Sequence, residues 1–181
     1  VTEMPVHDPT PLERYEAYRT RRFLRNEEKF RNMLPRWRTR RRRRILVVAL
    51  AATFVLMFTV GVLCHFFERG PLLWLPACLA FFPLWISLQI VSGRQGDAPR
   101  AALDEREIQE RNSARSIALT VTQSLVMIPV LYLVVGSVQT DGMHPRMAYA
   151  GGLMTLTATL IGGCLPAMIL AWNSPDPDET D

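Results

Sequence analysis

Four long apolar runs dominate the chain: Ile45 to about Phe67, about Leu72 to Val91, about Ile117 to Val138, and about Met147 to Trp172. Each has roughly the 20 residues needed to cross a bilayer's hydrocarbon as a helix. The apolar residues are gathered into blocks and are not spread with the period of an amphipathic helix or a half-buried strand. The pattern predicts an all-α fold, a four-transmembrane-helix bundle over residues 45–172. Gly70-Pro71 reads as a tight turn between the first two spans, which makes them adjacent and antiparallel. Pro76 and Pro83 should kink the second span. Pro129 falls in the third, and Gly162-Gly163 before Pro166 makes a bend plausible in the fourth.

Polar segments frame the spans. Thr10-Pro11-Leu12-Glu13 has the form of a helix start, with Thr10 as cap, Pro11 in the first turn and Glu13 completing a capping box. The helix that follows runs to about Leu34, before Pro35. Leu12, Tyr15, Phe23, Phe30 and Leu34 share one side of it, broken by Arg19 and Asn26. An amphipathic helix of this kind lies on lipid headgroups or docks a partner protein. The loop over residues 93–115 opens with turn residues. It continues as a charged helix, Arg100 to Arg115, with Arg100/Asp104 and Glu107/Arg111 at i,i+4 spacing. That helix should enter the third span without a break. Asn173-Ser174-Pro175 stops the fourth span, and residues 173–181 form an acidic tail.

Charge then orients the bundle. The net charge of +4 conceals an asymmetry: residues 1–44 hold fourteen basic and six acidic side chains, and the tail carries Asp176, Asp178, Glu179 and Asp181. Nineteen of the twenty-one lysines and arginines fall in the N-terminal segment and the 93–115 loop, and the two short turns hold only Arg69 and Arg146. By the positive-inside rule both termini and that loop are cytoplasmic, on a bacterial inner (plasma) membrane. Forty-four mainly polar residues ahead of the first apolar run are too many for the n-region of a signal peptide.

Candidate chemistry is sparse. No acidic or basic side chain sits in the middle of a span, where one would be a functional marker. His65, Glu68 and Arg69 lie at the outer end of the first span. Gln89, Thr120, Gln123 and Ser124, near the cytoplasmic ends, are expected to bond between helices. Cys64, Cys78 and Cys164 each lie in an apolar run without a CxxC or Cys/His spacing, and read as small buried hydrophobes. The chain lacks GxSxG, HExxH, P-loop and dinucleotide-binding signatures. The sequence therefore predicts no catalytic residue, no metal site and no cofactor.

Two contact surfaces remain. Arg36, Arg38, Arg40, Arg41, Arg42, Arg43 and Arg44 form a basic run against the first span. Arginine stays charged at any working pH, so the run reads as a topology signal that contacts anionic phospholipid or an acidic partner surface. Trp37 is its only aromatic, too few stacking platforms for nucleic acid. In the fourth span Ala148, Gly151, Thr155, Ala158 and Gly162, with Pro166, share one face of small residues. Such a face lets backbones approach closely in lipid. It packs on another span of the same chain, or on another subunit.

The segment Leu103-Asp104-Glu105-Arg106-Glu107-Ile108-Gln109-Glu110-Arg111, followed by small residues into a span, resembles a pattern in small multi-span membrane proteins of actinobacteria. The resemblance implies a bacterial inner-membrane protein and carries no activity. The functional expectation is a non-catalytic accessory subunit of a larger inner-membrane complex, respiratory or transport, partnered by other membrane subunits or by copies of itself. A small homo-oligomeric transporter or channel is the first alternative. A lipid- or partner-sensing membrane regulator is the second.

Overall fold

The computed structural model describes residues 39–67, 70–92, 103–139 and 144–174, together with Thr10, Pro11, Arg14, Tyr15, Ala17, Tyr18, Thr20, Arg21, Arg22 and Arg25. The fold is all-α. Helix α1 spans Arg40–Phe66, α2 Gly70–Val91, α3 Glu105–Gln139 and α4 Pro145–Asn173. All four are long and apolar enough to cross a membrane. Large apolar side chains are exposed along every one, from Leu72 and Leu79 on α2 to Leu131 and Val138 on α3. An apolar surface this extensive is untenable in water and ordinary in hydrocarbon. The chain is a multi-pass membrane protein.

Helices α1 and α4 form the interior. Each buries 44% of its most apolar stretch, against 22% for α2 and 11% for α3. Helix α2 packs on α1, α1 on α4, and α4 on α3, with a lesser contact between α2 and α4. The main core joins Leu46, Val47, Leu50, Phe54 and Met57 of α1 to Ala77, Phe81, Leu88 and Val91 of α2 and to Cys164, Met168 and Ala171 of α4. Phe54 and Phe81 meet at 5.7 Å between ring centroids, and Phe81 stacks on Trp85 at 6.5 Å. A smaller cluster at the other end holds Val60, Cys64, Ala150 and Leu153, flanked by Trp74 and Tyr132.

Helix ends follow from local chemistry. Asp104 caps α3: its Oδ1 accepts from Glu107 N–H at 2.7 Å, and Glu107 Oε2 accepts from Asp104 N–H at 3.1 Å. This reciprocal capping box fixes the start of α3 at Glu105. Asp104 is thus a cap, and its expected i,i+4 partner Arg100 lies outside the described residues. Within α3, Arg106 and Glu110 form an i,i+4 pair at 3.0 Å. As its charge pattern predicts, α3 runs unbroken from the charged segment into the apolar one, 35 residues in all. Gly70 closes the turn between α1 and α2, its N–H donating to Phe67 O at 3.1 Å, and with Pro71 it opens α2, because proline suits a first helical turn. A methyl on Gly70 would lie 2.7 Å from Cys64 Cα, so this turn closes only around glycine. All four span prolines that the sequence locates, Pro76, Pro83, Pro129 and Pro166, lie inside continuous helices.

Near the N-terminus, Arg14 N–H donates to Thr10 O, and the described residues from Pro11 to Arg25 are helical. Tyr15 and Tyr18 there are exposed. Leu12, Phe23, Phe30 and Leu34, the remainder of the expected apolar face, lie outside the described residues. So do Arg36, Arg38, the loop over 93–102 and the tail from Pro175 onward.

Candidate functional site: the arginine collar and the α3–α4 seam

The first turn of α1 is Arg40 to Arg44, and its members do different work. An α-helix advances about 100° per residue, so side chains three, four and seven apart share a face. Arg43 stands in that relation to Leu46, Val47 and Leu50, the first layer of the buried stripe. It is accordingly turned inward, with 7% of its surface exposed. Its Nη2 donates to Ser174 O at 2.8 Å, across 131 residues of sequence. The contact places a fixed cation at the C-terminal end of α4, where carbonyls lack helical partners and the dipole is negative. Arg44 lies beside it, its guanidinium carbon 4.8 Å from the centre of the Trp172 ring. The start of α1 and the end of α4 are thereby joined.

Arg40 and Arg41 are exposed. With Arg44 they border a groove of about 690 Å³ whose other described lining residues are Ile45, Val48, Ala49 and Ala52. The first turn contains no acidic residue, and Thr39 makes no side-chain cap. Five cations therefore crowd the positive end of a helix dipole, an arrangement that favours an anion close by.

The small face of α4 meets α3. A methyl on Gly151 would come within 2.5 Å of Leu133, and one on Gly162 would overlap the Thr122 hydroxyl. Ala158 is fully buried, Thr155 is half-buried, and Ala148 is exposed in the first turns of α4. Gly136 of α3 reciprocates, since a methyl there would overlap Met147. Two further glycines of α4, Gly152 and Gly163, face open space.

The span hydroxyls turn out to be local. Thr120 donates to Ser116 O at 3.1 Å, Ser124 to Thr120 O at 3.0 Å, and Thr122 to Ala118 O at 2.6 Å. Thr120 and Ser124 thus bond within α3, contrary to the expectation of bonds between helices, because a hydroxyl four residues on reaches a carbonyl of its own turn. Gln89 instead lines a crevice of about 290 Å³ between α2, α3 and α4, with Arg115, Thr122, Gly162 and Pro166. Pro166 has no N–H to give the Gly162 carbonyl, so that acceptor lacks its usual helical donor.

One polar contact and one buried cation belong to no motif. Tyr132 of α3 and His65 Nδ1 of α1 lie 2.7 Å apart near the C-terminal end of α1, and tie α3 to a helix it otherwise barely touches. Arg111 is buried at 4% exposure, in helical register with Ala114 and Ala118 on the buried side of α3. Among the described residues no group of three or more His, Cys, Asp or Glu side chains is placed to hold a metal. Cys64, Cys78 and Cys164 are unbonded, with Cys64 and Cys164 buried.

No protein-family model matches this chain, no curated protein matches its sequence, and no solved structure matches its fold.

Proposed function

We propose that the chain is a non-catalytic accessory subunit of a larger bacterial inner-membrane assembly, with both ends cytoplasmic. The observation that carries the reading is the openness of the bundle. Helix α3 leans almost wholly on α4 and leaves Met127, Ile128, Leu131, Val134 and Val138 on an uncovered apolar side. A companion span can lie along that side. The amphipathic N-terminal helix, with Arg36, Arg38 and the exposed arginines, supplies the cytoplasmic contact with partner or anionic lipid. Solubilised in mild detergent from its native membrane, the protein should migrate on native gels in a large band with co-purifying subunits. Migration only as a free 20.6 kDa chain would refute the proposal. Orientation is tested separately, by impermeant labelling of cysteines placed at Thr39, His144 and Ser174. Thr39 and Ser174 should react from the cytoplasmic side and His144 from the other.

One observation favours a second reading, a small homo-oligomeric transporter. A crevice that sets Gln89, Arg115 and Thr122 among small and apolar residues borders the cytoplasmic half of α3 and α4. Solute flux in proteoliposomes that contain the purified chain alone would support it. Flux that appears only with co-purified subunits would support the accessory role.

A further inference from the structure

We propose that the groove of Arg40, Arg41 and Arg44 is a discrete site for one acidic phospholipid of the cytoplasmic leaflet. The inference rests on the reading of the arginine run as a membrane-surface contact and gives it a specific geometry. Along the helix the groove changes character once. Its head is three guanidinium groups, and its body is Ile45, Val48, Ala49 and Ala52. At about 1.5 Å per residue, Arg40 to Ala52 rises about 18 Å. That is one leaflet of hydrocarbon, about 15 Å, plus the phosphate level above it. The groove therefore presents charge where a lipid carries its phosphate and apolar surface where the lipid carries its chains.

The stereochemistry of the collar limits which arginines take part. Arg43 is inward and bonded to Ser174 O, so it belongs to the fold. Arg44 is held against Trp172, which fixes one guanidinium at the rim of the groove without a long flexible search. Charge complementarity decides the occupant. The groove's head is cationic, its helix end is the positive pole, and the first turn of α1 carries no acidic residue of its own. A zwitterionic lipid offers no net charge to this head. The chain's own N-terminal segment is itself net positive. The chain's acidic tail is the remaining rival, because Asp176 follows Ser174 by two residues.

The test is native mass spectrometry of the full-length protein in a mild detergent, titrated with phosphatidylglycerol or with phosphatidylcholine of the same acyl chains. One phosphatidylglycerol per chain should be retained in preference to phosphatidylcholine. The triple variant R40Q/R41Q/R44Q should bind it about a hundredfold more weakly, at about 1 kcal/mol per basic residue and 1.4 kcal/mol per decade. A second variant, V48W, fills the body of the groove and keeps every charge; it should lose the retained lipid as well. Unchanged elution and helical content of both variants separate loss of a site from loss of the fold. Equal retention of the two lipids, or full retention by V48W, would reduce the contact to diffuse attraction and overturn the proposal. Lipid binding that appears only after D176N/D178N/E179Q/D181N would show the tail to be the occupant, with the same consequence. Binding of inorganic phosphate in place of the lipid would also overturn it. None of these results depends on whether the protein joins a larger assembly.

Discussion

Adjacent glycines in α4 should respond to the same substitution with opposite signs. At Gly162 an added methyl overlaps the Thr122 hydroxyl and lies 2.8 Å from both Thr122 Cβ and Cγ2. Thr122 cannot simply rotate away, because its hydroxyl is held to Ala118 O at 2.6 Å. Helix α3 must then shift, and overpacking of this kind costs about 1–3 kcal/mol. At Gly163 a methyl meets no atom within 4 Å. Both substitutions gain the same helix propensity, about 1 kcal/mol for alanine over glycine. Propensity therefore cancels, and G162A should be less stable than G163A by about 1–3 kcal/mol. Unfolding in mixed micelles, followed by circular dichroism as the denaturing detergent fraction rises, measures the difference. Adding T122A removes the hydroxyl and one methyl from the clash and should recover part of the loss in G162A while giving none in G163A, a coupling expected only between touching residues. Equal stabilities for G162A and G163A, or no coupling to Thr122, would refute the close approach of α3 and α4 at this point.

Two further contacts make predictions of defined size. R43Q removes a charged donor from Ser174 O and from the α4 terminus, and should destabilise the fold by about 1.5–3 kcal/mol in the same assay. R41Q, on the exposed side of the same turn, should change stability by less than about 0.5 kcal/mol. Y132F removes the bond to His65 and should cost about 0.5–1.5 kcal/mol, with hydrogen exchange in the C-terminal half of α3 rising before that in its N-terminal half.

Much of the architecture was legible because lipid imposes simple length and composition rules. The four spans follow from the apolar runs, and their ends shift by a few residues where caps and prolines act. Residues 40–44 join α1 although they are polar, since a helix needs only satisfied backbone to continue past the hydrocarbon. Block hydropathy could not show which face of each helix is inward, because residues toward lipid and toward neighbours are equally apolar. The small residues of α4 were the exception: Gly151 and Gly162 mark a close approach, although the sequence left open which helix fills it. A signal for Arg43 did exist. It lies three, four and seven residues before Leu46, Val47 and Leu50, but within a run of five arginines that register passes for uniform charge. Arg111, in step with Ala114 and Ala118, was concealed in the same way by the charged segment around it. The His65–Tyr132 contact joins residues 67 apart, and neither residue belongs to a motif.

The geometry of the seam limits where any partner of this chain can bind. With Gly151 and Gly162 already filled by Leu133 and Thr122, the close-packing face of α4 is consumed within the chain. A second subunit is left the outward faces, and those of α2 and α3 carry large side chains that hold a partner at a wider approach. The two faces should therefore answer differently to bulk. Leu131 and Val134 are more than half exposed on α3, so L131W or V134W should leave the isolated chain within about 0.5 kcal/mol of its normal stability. The same substitutions should strip the large native-gel band of its co-purifying subunits, because indole bulk disrupts a packed helix contact and is tolerated by fluid lipid. G151W should instead unfold the chain before assembly is tested, since even one methyl at that position comes within 2.5 Å of Leu133. If L131W and V134W keep the assembly intact while an equivalent change on α2, at Leu79 or Ile86, dissolves it, the companion lies against α2. If neither side responds, those two faces meet only lipid, and the accessory role must act through the open sides of α1 and α4 or through the N-terminal arm.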